Sequence, residues 1–199
     1  SVMSERLRVE VGGVPMANPI MLASGTVGYG EEFSELIDLG KLGGIVVKGL
    51  SREPWIGNVP QRIAETPGGM LNSIGLQNIG AEAFVRDKLP LLRQHGLAVV
   101  ANVWGRTIDD YVAVASYLDN VDGIDGLELN VSCPNIKEGG IAFGTSETQI
   151  HAVTAATRAV TSKPLWVKLA PGVTDIGAIG KAAEEGGADA LSVINTIRG

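Results

Sequence analysis

The chain has 199 residues, of which 45% are hydrophobic and 19% are charged, and its formal net charge at neutral pH is −6. This hydrophobic share supports a sizeable core and excludes a disordered chain, while the negative charge argues against binding to nucleic acid. The apolar runs are too short to span a membrane, and the one cysteine cannot form an internal disulfide. We therefore expect a cytoplasmic protein with a single domain over residues 1–199.

The first predicted element is a β-hairpin at about residues 7–17, because hydrophobic and polar residues alternate on both sides of Gly12-Gly13. Six short apolar runs then predict strands, at residues 20–24, 44–48, 98–102, 126–130, 165–170 and 190–195. Helical patterns separate most of them, at residues 30–39, 80–95, 107–120, 146–160 and 174–185. Thr107 with Asp110, and Ser146 with Gln149, have capping-box spacing. This alternation predicts an α/β fold with a parallel sheet covered on both faces.

Two folds agree with this order of elements. An open doubly wound sheet can be complete with five or six strands, whereas a (β/α)8 barrel needs eight strands and about 250 residues. The dinucleotide-binding fingerprint is absent, because "GTVGYG" has the wrong glycine spacing. Each apolar run ends in, or just before, a polar residue: Ser24, Lys48, Asn102, Asn130, Lys168 and Asn195. Strands often end in polar residues, but in a barrel these six would surround one mouth. The pattern favours a (β/α)8 barrel with about its first six units in this chain.

Four of these side chains suit a polar or anionic ligand. Lys48 and Lys168 either extend to solvent or provide fixed cations, and a lysine amine can also form a Schiff base. Asn102 and Asn130 can donate and accept hydrogen bonds at once, which suits the edge of a heterocycle, although either could be a turn residue. The segment 49–80 is too long for a routine βα loop, and its "NSIGLQN" stretch could present backbone N–H groups to a ligand or form ordinary turns.

The only cysteine, Cys133, lies three residues beyond a predicted strand, before Pro134 and ahead of Gly139-Gly140. A free cysteine is often an inert core residue, but this context predicts an exposed, mobile loop at the functional face. A thiol there could act as a nucleophile or as a general base, provided that its pKa is lowered or a partner takes its proton. His95 and His151 have no second ligand at metal spacing, so no metal site is predicted.

Several stretches, "MLNSIGLQN", "NVSCPN", "VKL" and "VINT", resemble the flavin-dependent dihydroorotate dehydrogenases, which are FMN-binding (β/α)8 barrels of pyrimidine biosynthesis. The resemblance runs from the N-terminal hairpin to the last residue. Within that family, "LASGTVGYGEEF" and "RIAETPGGMLNSIGLQN" resemble the class 1B catalytic subunit more than class 1A. The class 2 membrane enzymes use serine as the base, so Cys133 argues against them. Class 1B implies an iron–sulfur (2Fe-2S), FAD-containing partner subunit that passes electrons to NAD rather than fumarate, and a homodimer of catalytic subunits within a heterotetramer.

The resemblance also implies a role for each candidate residue. Cys133 would be the base that removes the C5 proton of dihydroorotate while hydride passes from C6 to FMN, and Lys168 would stabilise charge on the reduced flavin. The loop from Cys133 to Phe143 would act as a lid. The implied FMN-binding residues are Ser24, Lys48, Gly49, Asn102, Asn130, Lys168 and Ile194. The implied substrate-binding residues are Lys48, Asn72, Ser73, Ile74, Gly75, Leu76, Asn130, Asn135, Asn195 and Thr196.

Members of this family are longer than the present chain, and their last two strands supply phosphate-binding loops. We therefore expect the chain to be a C-terminally truncated piece that binds FMN poorly by itself. Three other functions stay open: a related barrel acting on another pyrimidine, as in dihydropyrimidine dehydrogenase, a Schiff-base aldolase that uses Lys168, and a non-catalytic scaffold. Competition between dihydroorotate and uracil separates the first from the leading hypothesis, and borohydride trapping tests the second. The intact Cys133 and Lys48 argue against a scaffold.

Overall fold

A computed structural model describes residues 5–135 and 141–197 of the chain. In chain order its strands are β1 (Val9–Val11), β2 (Val14–Met16), β3 (Met21–Leu22), β4 (Gly44–Val46), β5 (Ile63–Thr66), β6 (Gly69–Asn72), β7 (Ala98–Val103), β8 (Gly126–Asn130), β9 (Pro134–Asn135), β10 (Ile141–Ala142), β11 (Leu165–Lys168) and β12 (Ala190–Ser192). Its α-helices are α1 (Ala81–Ala83), α2 (Leu89–Arg93), α3 (Ile108–Asp119), α4 (Glu147–Arg158) and α5 (Ile176–Glu185). A π-helical stretch, Phe84–Lys88, joins α1 to α2. No helix within these described ranges has the length and apolar character needed to cross a membrane.

The main sheet has six parallel strands in the order β3-β4-β7-β8-β11-β12, so the strands of this sheet follow one another across it in their order along the chain. A doubly wound sheet would reverse this order at a switch point, and none occurs. A hydrogen bond shows that the sheet is also curled: the hydroxyl of Ser192 on β12 donates to the Glu128 carboxylate on β8, across the intervening strand β11. A flat sheet would hold β8 and β12 about 10 Å apart. Sequential order and curvature confirm the prediction of a partial (β/α)8 barrel.

The apolar strands are buried as a two-sided parallel sheet requires. All six residues of β7 are buried, as are the first four of β8. The predicted N-terminal hairpin is confirmed: β1 and β2 pair antiparallel around Gly12-Gly13. Its buried side chains Val14 and Met16 form a second apolar cluster with Val46, Ala98, Val100 and Trp166. Ala98 and Trp166 lie in the first half of β7 and of β11, and the Gly12 carbonyl accepts from Trp166 Nε1. The hairpin therefore packs against the end of the sheet opposite the predicted ligand mouth.

The helix predicted at residues 30–39 is wrong. This segment contains only short 3-10 helices, Glu31–Phe33 and Leu39–Lys41. The carboxylate of Asp38 accepts a hydrogen bond from the N–H of Gly40, and such local bonds compete with a continuous helix. Leu36, which a helix would have packed, is 76% exposed. Tertiary packing therefore does not supply the buried face that a helix here would need.

One of the two predicted capping boxes forms. Thr107 accepts from the N–H of Asp110, and the Asp110 carboxylate accepts from the N–H of Thr107, so the box confirms the start of α3. At α4, in contrast, the Ser146 side chain makes no capping hydrogen bond. Its carbonyl oxygen accepts from the N–H of Ile150 at 2.9 Å, which is a backbone hydrogen bond at the start of the helix.

Gly43 permits a close backbone approach between β3 and β4. A Cβ atom at this position would lie 1.8 Å from the carbonyl oxygen of Asn18, and the Gly43 N–H donates to the Ile20 carbonyl at 2.8 Å. Because both neighbours are backbone atoms, relief of the clash requires a shift of the strand pair. We expect Gly43→Ala to lower the free energy of unfolding by about 3 kcal/mol, measured by urea denaturation.

The control for this change is Gly68→Ala, in the turn between β5 and β6. A Cβ there would meet no described atom within 4 Å, so stability should change little. Equal stability of the Gly43 and Gly68 variants would show that the clash is relieved without loss of strand pairing.

Candidate active site

The parallel sheet brings most of the predicted polar residues to one edge. Lys168 ends β11 and pairs in register with Asn130 at the end of β8 and with Ser192 at the end of β12. Ser24 and Lys48 follow β3 and β4, and the Ser24 hydroxyl donates to the Val47 carbonyl at 2.8 Å. Because the carboxyl ends of parallel strands lie at the same edge, these residues surround the mouth of the partial barrel.

Lys48 is a half-buried cation at this mouth. Burial lowers the pKa of its ammonium group, and the nearby positive charge of Arg62 lowers it further. Within residues 5–135 and 141–197, no hydrogen bond or ion pair involves the ammonium group. A partly desolvated lysine without a counter-ion is suited to bind an anionic ligand group.

Asn102 lies deeper than the other polar residues, inside β7 rather than at its end. It is buried and sits in register with Glu128 on β8, whose Oε1 accepts a hydrogen bond from Asn102 Nδ2 at 2.7 Å. Asn102 Oδ1 is buried and has no hydrogen-bond partner among the described atoms. A Cβ atom at Gly49 would lie 2.8 Å from that oxygen, so only glycine fits beside it. The site thus contains a buried acceptor without a hydrogen-bond partner, which is rare because most buried polar groups have one.

Glu128 was not among the predicted site residues. It is 2% exposed, and its second oxygen accepts from the Ser192 hydroxyl. The signal available in the sequence was a single acidic residue inside the apolar run "GLELN". Glutamate is rarely fully buried without partners, so its place in a predicted core strand could have identified it.

Cys133 is 2% exposed, so the prediction of an exposed loop thiol is wrong. The aromatic rings of Tyr111 and Phe143 pack edge to face with their centroids 5.4 Å apart, and the Phe143 N–H donates to the Cys133 carbonyl at 3.3 Å. Burial raises the pKa of the Cys133 thiol to about 12, and a hydrogen bond with the Tyr111 hydroxyl offsets part of this increase. The local sequence could not show this, because Tyr111, whose side chain acts on the thiol, comes from α3.

Tyr111 also fixes the start of the segment that carries the thiol. Its hydroxyl donates to the carbonyl oxygen of Asn130 at 2.6 Å. The side-chain oxygen of Asn130 accepts from the N–H of Ser132 at 3.3 Å, which turns the chain immediately after β8. The Asn130 side chain is therefore partly committed to its own turn, while Asn102 is not.

The predicted substrate segment, residues 72–76, follows an exposed hairpin formed by β5 and β6. The Ser73 N–H donates to the Arg62 carbonyl at 2.7 Å, and Gly75 and Leu76 have positive φ angles of 74° and 61°. Among the described residues, no hydrogen bond joins the segment directly to the strand-end polar residues. Arg62 connects the two regions, because its charge acts on Lys48 while its backbone holds Ser73.

The remaining predicted residues follow β12 and β8. Asn195 Nδ2 donates to the Ser132 hydroxyl at 2.9 Å, which joins the segments after these two strands. Ile194 is half-buried against the core, and Thr196 is exposed. The Asn135 side chain and Gly139-Gly140 lie outside the described part of the structure. The structure therefore describes only the two ends of the predicted lid.

No group of three or more His, Cys, Asp or Glu residues in the described ranges could hold a metal ion. Two polar groups of the mouth, the Lys48 ammonium and Asn102 Oδ1, have no hydrogen-bond partner among the described residues. A cation and a buried hydrogen-bond acceptor suit an organic ligand that carries a negative charge and an N–H group.

Comparison with known proteins identifies relatives along almost the whole chain. Residues 6–199 match the family model described as dihydroorotate dehydrogenase. The chain is 55% identical over 193 residues to the dihydroorotate dehydrogenase B (NAD(+)) catalytic subunit of Thermoanaerobacter sp. (strain X514), covering 97% of this chain and 64% of that protein. It is 53% identical over 197 residues to the subunit of the same name from Trichlorobacter lovleyi, covering 99% and 65%. The chain thus spans somewhat less than two thirds of the length of these curated relatives.

Proposed function

Because the chain belongs to the dihydroorotate dehydrogenase family, we propose that the protein oxidises dihydroorotate to orotate in pyrimidine (UMP) biosynthesis, with FMN as cofactor. The observation that carries the proposal is the pair of uncommitted groups at the barrel mouth, the Lys48 ammonium and the buried Asn102 Oδ1. Dihydroorotate carries a carboxylate, and both this substrate and the flavin ring carry N–H groups.

The described residues fit a flavin at the mouth of the barrel. When bound, FMN supplies the acceptor for the hydride of the substrate. Asn102 and Asn130 would hold its ring by hydrogen bonds, and Lys168, which neighbours Asn130 in register, would place a fixed cation beside it. Its surface would be lined by Ser24, Lys48, Gly49 and Ile194. Asn102 Oδ1 supports this assignment most directly, because a buried acceptor without a partner is costly unless a ligand satisfies it.

The substrate would lie against the flavin ring. Lys48 would bind the carboxylate of dihydroorotate, and the ring amides would contact Asn130 and the residues Asn72, Ser73, Ile74, Gly75, Leu76, Asn135, Asn195 and Thr196. Cys133 Sγ would accept the proton from C5. Tyr111 lies beside the thiol and lowers its pKa, although the opposing effect of burial is larger.

We further propose that electrons leave through a partner subunit that contains FAD and a 2Fe-2S cluster and reduces NAD. The proposal also includes a cytoplasmic homodimer of catalytic subunits within a heterotetramer. It is supported by the printed names of the relatives, which contain both "NAD(+)" and "catalytic subunit". NAD reduction by the purified complex, with fumarate as the competing acceptor, tests this part.

The test of the proposed function is an anaerobic visible spectrum of the intact protein before and after addition of dihydroorotate. A flavin spectrum that bleaches is the expected result, because the substrate reduces the bound cofactor. A flavin that dihydroorotate leaves oxidised but that another pyrimidine reduces would contradict the substrate and favour the dihydropyrimidine dehydrogenase-like alternative. A protein without flavin, even after addition of FMN, would contradict the function as a whole.

The lowered pKa of Lys48 predicts how binding of orotate depends on pH. The ammonium form exists below its pKa, so affinity should fall as the pH rises through a value lower than the ordinary 10.5. Arg62→Ala should move this fall to higher pH, because it removes a repelling charge. Orotate dissociation constants of the intact protein, measured by fluorescence from pH 7 to 11, check the expectation. The control is Arg86→Ala, because Arg86 pairs with Asp87 at the surface. Identical profiles for all three proteins would contradict the effect of Arg62.

A further inference from the structure

Glu128 is a buried acidic residue that the proposed chemistry does not use. It lies on β8 between apolar neighbours, and it is 2% exposed. Its carboxylate bridges two strands, because Oε1 accepts from Asn102 Nδ2 on β7 at 2.7 Å and Oε2 accepts from the Ser192 hydroxyl on β12. Placing a carboxyl group in this interior is unfavourable, so its hydrogen bonds account for its presence there.

The first of these bonds determines which end of the Asn102 amide is free. An amide has a donor end and an acceptor end of nearly equal size, and it can bind in either orientation. The carboxylate oxygen that faces Asn102 acts as an acceptor, so the amide must turn its nitrogen toward Glu128. Its Oδ1 is thereby directed away, and it is the end that has no partner in the described structure. The registered pairing of Asn102 with Glu128 keeps the two residues adjacent.

We propose that Glu128 is a positioning residue that holds the Asn102 amide so that it offers an acceptor, and not a donor, to an N–H group of the bound ligand. The inference rests on the proposed function, in which the flavin ring and the pyrimidine substrate each carry such a group. Ser192 binds the second carboxylate oxygen and limits rotation of the Glu128 side chain. The pair Glu128–Asn102 thus selects ligands by the polarity of one hydrogen bond.

The experiment compares FMN with 3-methyl-FMN, which lacks the N–H group of the flavin pyrimidine ring. Dissociation constants are measured by flavin fluorescence in the intact protein and in three variants. Glu128→Met removes both bonds at similar volume and frees the amide to rotate. We expect it to weaken FMN binding by roughly tenfold while it changes 3-methyl-FMN binding little, so the preference for FMN falls.

Two further variants separate orientation from general damage. Glu128→Gln retains shape and can still present an oxygen to Asn102, so it should recover part of the preference. Ser192→Ala removes only the second bond, so the preference should change by less than about threefold. Thermal denaturation of each variant is recorded, because a variant that is merely destabilised would lose affinity for both flavins equally.

The same comparison with orotate and its N-methylated analogues identifies the ligand group. In one outcome, Glu128→Met lowers the preference for orotate over its N-methylated analogues but leaves the preference for FMN over 3-methyl-FMN unchanged. This outcome supports the positioning role and shows that Asn102 Oδ1 accepts from the substrate. Preferences that stay unchanged for both ligands in Glu128→Met, with a lower melting temperature, would overturn the proposal. Flavin reduction by dihydroorotate is measured on the wild type in parallel. Failure of the function is then recognised in the wild type, and failure of the positioning role in the variants.

Discussion

Cys133→Ser is expected to lower the rate of flavin reduction by dihydroorotate at neutral pH by about 100-fold or more in the intact protein. The variant retains a hydroxyl group of similar size, but serine is a much weaker acid than cysteine and provides far less of the basic form. FMN binding should be retained, because the change does not affect the polar residues at the strand ends. Anaerobic stopped-flow spectroscopy measures the rate, and full turnover of the serine variant at neutral pH would contradict the assigned base.

The direction of the pH dependence follows from the burial of this thiol. Burial raises the pKa of Cys133 to about 12, so the thiol form predominates throughout the neutral range. Because a base must be deprotonated before it accepts the substrate proton, the rate should rise with pH by about tenfold per unit between pH 6 and 9. In Cys133→Ser a rise of the same steepness should remain, but from a much lower rate, because serine is deprotonated only at still higher pH. A rate that is constant with pH in the wild type would mean that another group removes the proton.

Phe143→Ala is expected to lower the free energy of unfolding by about 3–5 kcal/mol. Phe143 is fully buried, packs edge to face on Tyr111, and holds the carbonyl oxygen of Cys133 through its N–H. Removal of the ring leaves a cavity beside Tyr111 that the surrounding strands cannot fill. Chemical denaturation measures the loss. The matched control is Phe143→Leu, which retains most of the volume and should lose less than about 1.5 kcal/mol.

The same variant should also change the accessibility of the thiol. Phe143 packs on Tyr111, which lies beside the thiol, so its truncation should increase the rate at which a thiol reagent modifies Cys133 under native conditions. Similar rates in Phe143→Ala and the wild type, with equal stability, would show that the ring does not enclose the site.

The strands and their order could be predicted because the information is local. Runs such as 98–102 and 126–130 are apolar and separated by helical patterns, and a parallel sheet needs little more. The helix at residues 30–39 could not be judged in this way, because its apolar residues have the right spacing but Leu36 is largely exposed. The hydrogen bond from the N–H of Gly40 to the Asp38 carboxylate favours a different local structure. Spacing indicates a possible buried face, and only the tertiary fold decides whether anything covers it.

The candidate site was predictable to the extent that it follows strand ends. Lys168 and Asn130 are neighbours because parallel strands align their last residues, which the sequence pattern already indicated. Glu128 and Tyr111 were missed because their roles depend on partners from distant segments. The burial of Cys133 was mispredicted for the same reason. Loop composition predicts exposure only on average, and Cys133 is 2% exposed in the folded chain.

If the proposed function holds, the hydrogen bond between Asn195 and Ser132 affects when the thiol-bearing segment can move. Ser132 precedes the thiol-bearing residue, so the tether that holds this segment ends on a side chain assigned to the substrate. A substrate that takes the Asn195 amide weakens the tether, and the segment gains freedom to move its thiol. By thermodynamic reciprocity, movement of the segment changes substrate affinity by the same factor. The Cys133 thiol would then move most readily in protein molecules that already have substrate bound.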